Sequence, residues 1–145
     1  DTLFKGVWGK IFTTLGGIPV ARGTADRESL QTCIRVIEAG EPLVVFPEGT
    51  RVAPGKTGRY KPGGAILAKR AGVPVVPVAH NAGEFWRRNA FIKRPGEVIV
   101  SIGPAIEVKG VKADEINKRA EAWIEAEMRR LFPHHYARPA PGSTQ

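Results

Sequence analysis

The stretch Val44-Val45-Phe46-Pro47-Glu48-Gly49-Thr50-Arg51 joins an apolar run to a turn with one acid, one glycine, one hydroxyl and one arginine. This order is typical of a buried strand that delivers polar groups to the rim of a site. Glycine lets a ligand approach the backbone closely because it has no Cβ. The planar guanidinium of arginine suits phosphate or carboxylate better than an ammonium group does. The stretch therefore predicts a strand followed by an anion-binding turn.

Four parts of the chain resemble sequence blocks of the glycerolipid acyltransferases. Phe-Pro-Glu-Gly-Thr-Arg at 46–51 looks like the third block of that family, and residues 3–9 with 17–23 are similar to the second. Tyr-Lys-Pro-Gly-Gly-Ala at 60–65 resembles the segment after the third block, and Val-Pro-Val-Val-Pro-Val-Ala at 73–79 resembles the fourth. The segments occur in the family's order, and the resemblance extends from about residue 3 to residue 131. The bacterial type member of this family is 1-acylglycerol-3-phosphate acyltransferase.

The first block of the family, His-x-x-x-x-Asp, has no counterpart in this sequence. In the family this block supplies the catalytic base and the carboxylate that orients it. None of the three histidines has an aspartate five residues later, because those positions hold Phe85, Pro139 and Ala140. We therefore expect no catalytic residue in this chain and a base upstream of Asp1, in a longer enzyme. We also expect these 145 residues to be inactive alone.

Apolar runs alternate with amphipathic helical patterns along the chain, which predicts an α/β fold with a mostly parallel sheet flanked by helices. The resemblance implies the glycerol-3-phosphate acyltransferase-like version of this fold, incomplete at its N-terminus. The predicted strands are 18–20, 43–46, 75–79 and 97–102. The predicted helices are 3–15, a second from Thr24 that closes at Gly40, 62–71, and a long one after Asp114. We assign residues 1–132 to the acyltransferase domain and 133–145 to a Pro-rich mobile tail.

Since part of the layer is expected upstream, some apolar surface should be left without cover. We expect an exposed apolar patch or an unpaired strand edge next to 43–46 or 75–79.

Two arginines are the leading candidates for binding the acceptor. The resemblance implies that Arg51 grips the phosphate of a glycerol phosphate, although an arginine in a loop can also simply pair with a nearby carboxylate. Arg22 follows the preceding predicted strand and can converge on the same anion. Lys61 either adds positive potential to this site or is a solvated surface charge.

The residues between the strand and Arg51 complete this substrate-binding group. Glu48 either orients Arg51 or hydrogen-bonds a substrate hydroxyl, and the alternative is that it only caps a turn. Gly49 supplies room at the backbone, and Thr50 supplies a hydroxyl donor.

Four residues are predicted to line the pocket: Phe46, Pro47, Pro77 and His80. Sites in parallel sheets form at the carboxyl ends of strands, where these residues lie in the predicted fold. His80 could also be read as a catalytic base, because Glu84 lies four residues later and could orient it. Because the family uses a different histidine for catalysis, we interpret His80 as part of the pocket wall.

The charge balance indicates a polyanionic partner. Lys and Arg number 22 against 14 Asp and Glu, which gives a net charge of +8. The aromatic residues do not alternate with the basic ones as stacking platforms for bases would, so membrane lipid is favoured over nucleic acid. The Trp86-Arg87-Arg88 cluster is typical of lipid interfaces, and its alternative is a partly buried tryptophan beside solvated arginines.

Cofactor and metal sites receive no support from the sequence. The single cysteine, Cys33, excludes an internal disulfide and a cysteine-based metal cluster, and we expect it to be buried and inert. The three histidines have no metal-ligand spacing. The resemblance implies no bound cofactor, with the thioester of acyl-CoA or acyl carrier protein as co-substrate.

The resemblance implies transfer of a fatty acyl chain to 1-acylglycerol-3-phosphate, which makes phosphatidate in phospholipid synthesis. A histidine would deprotonate the acceptor hydroxyl, which attacks the thioester directly. The expected location is the cytoplasmic face of the bacterial inner membrane, by peripheral contact or through an N-terminal part. Two alternatives stay open: a different lyso-lipid acceptor, such as a lyso-aminolipid, and a non-catalytic basic module that binds anionic lipid or nucleic acid.

Overall fold

The computed structural model describes residues 27–49, 52–86 and 91–136. The chain divides into two compact units, Asp1–Val44 and Val45–Gln145. In the first unit the described residues form helix α1 (Arg27–Glu38), whereas the other described helices and strands belong to the second unit. The predicted helix at 3–15, the predicted strand at 18–20 and the predicted cap Thr24 lie outside the described residues.

Helix α1 ends where the sequence predicts. Gly40 has a φ of 82°, and its N–H donates to the Ile37 carbonyl oxygen at 2.9 Å. The left-handed conformation needed here is open to glycine without a Cβ penalty, so the prediction that Gly40 closes the helix is confirmed. Cys33 is partly buried within α1, and burial raises the pKa of its thiol. A protonated thiol is a weak nucleophile, which agrees with the expected inert cysteine.

The prediction of a buried strand at 43–46 is wrong. No described segment forms a strand ladder with these residues, and Val44 and Phe46 are 78% and 64% exposed. The sequence pattern reports hydrophobicity, but a strand also requires a neighbour that pairs with its N–H and C=O groups. The exposed apolar surface expected next to 43–46 is therefore present.

The second unit contains two longer helices and a small sheet. Its elements are α2 (Gly63–Ala71), β1 (Val78–His80), α3 (Ala82–Phe85), β2 (Val100–Ile102), α4 (Ala113–Leu131) and a single-turn 3-10 helix (Pro133–His135). Helix α2 begins one residue after its predicted start, because Pro62 is the N-cap and not the first helical residue. Its predicted end is confirmed, since Gly72 closes it with a φ of 69°. The predicted mobility of 133–145 stays a prediction, and Pro133–His135 is helical.

The sheet differs from the predicted mostly parallel arrangement. Strands β1 and β2 pair antiparallel, with Val78 opposite Ile102 and His80 opposite Val100. An isolated antiparallel bridge between Val75 and Ile106 continues the pairing, with reciprocal backbone bonds of 3.0 and 2.8 Å. The protein is α/β, but among the described residues the parallel pairing is not found. The chain between the strands reverses direction, and the helix in its described part is the four-residue α3, whereas a parallel pair needs a longer crossover.

The core of the second unit lies between α2, α4 and the chain around the Val75–Ile106 bridge. Ile116 of α4 has no exposed surface and packs with Ala65, Ala68 and Val108. Burying a side chain of this size stabilises the fold by about 1.5–3 kcal/mol. Gly103, after β2, allows the indole of Trp123 to pack closely, because a Cβ at this position would lie 2.6 Å from Trp123 Cε2. These contacts fix α4 against the strands.

A polar contact also ties β2 to α4. The Glu127 carboxylate accepts hydrogen bonds from Ser101 Oγ at 2.6 Å and from the guanidinium of Arg130 at 2.6 Å. The hydrogen bond from Arg130 first, and then the one from Ser101, lower the pKa of Glu127 to about 2.

Apolar side chains remain exposed around the small sheet. Val76 and Val78 are exposed beside β1, as are Val100 and Ile102 of β2. The exposed apolar surface expected near 75–79 is therefore present. No helix in the described part of the chain is both long and apolar enough to cross a membrane.

Candidate functional site

The turn after Phe46 is shaped by Gly49. The Gly49 N–H donates to the Phe46 carbonyl oxygen at 3.0 Å, and Gly49 has a φ of 64°. A side chain in this left-handed conformation is strained, so glycine is required for this turn. The described part of the motif, Phe46 to Gly49, thus reverses the chain directly before Thr50 and Arg51.

Lys61 lies against this turn. Its N–H donates to the Pro47 carbonyl oxygen at 2.9 Å. Its Nζ would lie 3.1 Å from a Cβ built on Gly49, so the ammonium group covers the open face of the glycine. A positive charge therefore lies directly over the glycine backbone.

Glu48 is partly buried and packs on the loop that follows the motif. A Cβ on Gly58 would lie 2.8 Å from Glu48 Cγ and 2.6 Å from Val52 Cγ2, so the absence of a side chain at 58 makes room for the glutamate. Arg51, Thr50 and Arg22 lie outside the described residues. Their predicted roles, and the predicted action of Glu48 on Arg51, remain predictions.

A network on α4 holds the other end of this loop, and sequence reasoning missed it. Glu125 accepts a hydrogen bond from Thr57 Oγ1 at 2.8 Å and a longer one from the Tyr60 hydroxyl at 3.5 Å. Tyr60 is buried, and desolvation followed by the charges of Glu48 and Glu125 raises its pKa well above the ordinary value. The charge of Glu48 therefore acts on the residue directly before Lys61. The loop between the motif and α2 is thereby anchored to α4.

Two of the predicted pocket-lining residues contact each other. The rings of Phe46 and His80 meet edge to face, with centroids 6.4 Å apart. Pro77 is buried and its carbonyl oxygen accepts a hydrogen bond from the Gly103 N–H at 2.9 Å. Pro47 is partly buried in the turn. The structure thus brings Phe46 and His80 together, whereas Pro77 supports the strands.

The hydrogen bonding of His80 bears on its chemistry. His80 Nδ1 accepts a hydrogen bond from the Ala82 N–H at 3.2 Å. In the neutral imidazole one nitrogen accepts and the other carries the proton, so this bond assigns the proton to Nε2. The nitrogen left for a substrate is then a donor. This geometry fits a pocket wall better than a general base.

Asn81 has a structural role next to His80. Its side chain is buried, and its Oδ1 accepts from the Ile99 N–H at 2.9 Å while its Nδ2 donates to the Glu97 carbonyl oxygen at 3.3 Å. These bonds satisfy the amide and hold the segment before β2 beside β1.

One group of side chains could hold a metal ion, and it was not predicted. Single ligand atoms of Glu84, His134 and His135 all lie within 4.8 Å of one another. The sequence gives no signal for this group, because Glu84 is fifty residues before the histidines and the usual ligand spacings are absent.

Comparisons with known proteins identify the family. A family model described as Acyltransferase matches residues 1–81. The 1-acyl-sn-glycerol-3-phosphate acyltransferase of Pseudomonas aeruginosa is 42% identical over 100 residues, which cover 67% of this chain and 39% of that protein. The enzyme of the same name from Limnanthes alba is 31% identical over 121 residues, which cover 81% of this chain and 43% of that protein.

A solved structure agrees with these relatives. The crystal structure of the 1-acyl-sn-glycerophosphate acyltransferase from Thermotoga maritima superposes with a TM-score of 0.75 at 26% identity, covering 90% of this chain and 54% of that one. The chain therefore spans about half or less of the length of these proteins. Since the family model matches more than half of its residues, the chain belongs to the acyltransferase family.

Proposed function

We propose that the protein containing this chain transfers a fatty acyl group to the free hydroxyl of 1-acylglycerol-3-phosphate, making phosphatidate for phospholipid synthesis. The donor would be the thioester of acyl-CoA or acyl carrier protein. The observation that carries the proposal is the turn at Pro47–Gly49, where a bare glycine backbone lies under the ammonium group of Lys61 within the Phe-Pro-Glu-Gly-Thr-Arg motif. The relatives in Pseudomonas and Limnanthes, named 1-acyl-sn-glycerol-3-phosphate acyltransferase, support it.

In this proposal the chain supplies the phosphate grip, which is the set of side chains that binds the phosphate of the acceptor. Arg51 forms a bidentate contact with the phosphate, and Lys61 and Arg22 add positive charge. Glu48 orients Arg51, and Thr50 donates a hydrogen bond. Fixing the acceptor in this way converts a collision between two lipids into a reaction within one complex.

The proton transfer belongs to residues outside this sequence. A histidine of a His-x-x-x-x-Asp block takes the proton of the acceptor hydroxyl, and the oxygen attacks the thioester carbonyl. The carbon–sulfur bond breaks, and the thiol leaves with a proton. His80 is not this base, because its Nδ1 is engaged by the Ala82 N–H. Phe46, Pro47, Pro77 and His80 line the pocket, and this chemistry needs neither a metal nor a bound cofactor.

The protein acts at an anionic membrane surface in this account, on the cytoplasmic face of the bacterial inner membrane. The net charge of +8 favours such a surface. Phe91 is fully exposed and Ile92 nearly so, close in sequence to Lys93, whose Nζ lies 4.0 Å from the centroid of the Trp86 ring. Exposed apolar groups next to an aromatic–cation pair suit the boundary between headgroups and acyl chains.

An acceptor panel tests the proposed reaction. The protein encoded by the whole gene would be assayed with an acyl thioester and either lysophosphatidate, the corresponding monoacylglycerol, or a lyso-aminolipid. We expect turnover with lysophosphatidate and little with the two acceptors that lack a phosphate. Preference for the lyso-aminolipid would contradict the phosphate grip and favour a different lyso-lipid acyltransferase.

A competition experiment separates the enzyme from a basic binding module. Vesicles that contain lysophosphatidate should compete for the protein's binding to anionic lipid, whereas double-stranded DNA should not. An absence of acyl transfer together with displacement by DNA would reject the proposal in favour of a non-catalytic module.

A further inference from the structure

Three parts of the second unit converge at the C-terminal end of α4. Helix α3 contributes Glu84, the 3-10 turn contributes His134 and His135, and the loop after the motif contributes Gly55. The two imidazole rings are 4.1 Å apart between centroids, and both approach the buried ring of Phe132. Both histidines therefore pack on Phe132, and the Glu84 carboxylate lies beside them.

Two buried atoms in this group face each other without a proper hydrogen bond. Glu84 Oε1 and His135 Nε2 are 2.9 Å apart, and both are shielded from solvent. Neither makes a hydrogen bond of acceptable geometry within the described residues. An imidazole nitrogen and a carboxylate oxygen are both metal-ligand atoms, and a cation placed beside them would give each of these buried atoms a partner.

We propose that Glu84, His134 and His135 form a Zn²⁺ site. Two imidazole nitrogens and one carboxylate oxygen are ligands that zinc accepts, and imidazole also suits Ni²⁺ and Cu²⁺ but not Mg²⁺. Donor atoms at about 2.0–2.1 Å from one ion and 2.9 Å from each other subtend an angle of about 90° at the metal. The exposed His134 would supply the third ligand, and water would complete the coordination.

The zinc ion would hold the C-terminal turn against α3 and would take no part in the acyl transfer. Gly55 lies so close to the turn that a Cβ there would be 2.2 Å from the His135 carbonyl oxygen. Fixing His135 to Glu84 therefore also fixes the loop that leads from the motif to Lys61. The proposal goes beyond the proposed acyl transfer and does not depend on it.

Metal binding is measured on the full chain, produced without a histidine tag and stripped of metal by a chelator. Zn²⁺ is titrated in competition with a chromophoric chelator, and bound zinc is counted by mass spectrometry after dialysis. We expect one Zn²⁺ per chain and a rise in melting temperature with Zn²⁺ but not with Mg²⁺.

Variants assign the zinc to these ligands. Glu84→Gln and His135→Gln should each weaken zinc binding at least about 10-fold, since even residues that only support metal ligands typically matter that much. His134→Gln changes an exposed side chain, so it tests the site with little risk to folding. Glu107→Gln, which removes an exposed carboxylate elsewhere, should leave zinc affinity unchanged.

Two results would overturn the proposal. One is zinc binding that survives His134→Gln and His135→Gln undiminished, because the ion would then lie elsewhere. The other is an absence of stoichiometric zinc on the unmodified chain, which would mean that Glu84 and His135 contact each other without a metal ion.

Discussion

Replacing Gly55 by alanine tests how the loop after the motif is held against the C-terminal turn. Gly55 has a φ of 76°, and an added Cβ would lie 2.2 Å from the His135 carbonyl oxygen and 3.1 Å from the His135 carbonyl carbon. These are backbone atoms, so the overlap is not relieved by rotating a side chain. The loop or the turn must move.

The expected cost has two parts. An alanine in the left-handed region costs about 1–2 kcal/mol. Forcing an extra methyl group into a packed site costs about 1–3 kcal/mol more. Gly55→Ala should therefore lower the free energy of unfolding by about 2–5 kcal/mol.

Gly72→Ala is the matched control. Gly72 has a φ of 69°, but a Cβ there meets nothing within 4 Å. It should show only the backbone strain of about 1–2 kcal/mol. Urea unfolding of both variants, monitored by circular dichroism, measures the difference between their free energies of unfolding. The comparison requires that the slope m is similar in the two variants. Equal losses in Gly55→Ala and Gly72→Ala would refute the close contact between the loop and the turn.

Three further predictions concern titration and the site. The pKa values of Tyr60 and Tyr136, the two tyrosines of the chain, are both raised, so ultraviolet titration should place both phenolate steps above pH 10 while the fold persists. Stability should fall as pH rises above 10, because the unfolded chain then loses its phenolic protons first. The pKa of Glu127 is lowered from 4.5 to about 2, so its stabilisation is present above pH 4.5 and is lost as pH falls toward 2; the melting temperatures of the unmodified chain and Glu127→Gln should converge over that range. In the whole enzyme, Lys61→Met should raise the KM for lysophosphatidate by a factor of about 1.5–5 and leave the donor KM unchanged, because exposed charge pairs contribute about 0.2–1 kcal/mol.

Local signals in the sequence were enough to predict the three longer described helices, α1, α2 and α4. Pro62 and Gly72 mark α2, and Gly40 marks the end of α1, because these residues have backbone preferences that act without any tertiary partner. The prediction of a strand at 43–46 is wrong for the opposite reason. Its apolar residues fit a strand, but strand formation depends on a partner that the pattern does not specify, and the described residues provide none.

In the candidate site, too, local sequence signals are informative, whereas contacts between distant residues are not visible in the sequence. The sequence left Lys61 open between a contribution to the substrate site and a solvated surface charge, and the structure places its Nζ over the Gly49 backbone. The anchoring of Tyr60 by Glu125 was missed, because these residues are 65 positions apart and each fits an ordinary surface role. The pairing of His135 with Glu84 is likewise a product of tertiary packing.

The most direct test of the account is the effect of Arg51 on acceptor binding in the whole enzyme. Arg51→Ala should lower kcat/KM for lysophosphatidate. The loss should correspond to about 2–5 kcal/mol of transition-state stabilisation if the contact is desolvated. Arg51→Lys keeps the charge but loses the bidentate geometry, so it should still be impaired. The loss should appear chiefly in the acceptor KM, with the KM for the acyl donor nearly unchanged. Unaltered acceptor kinetics in Arg51→Ala, or a loss confined to the acyl donor, would contradict the phosphate grip.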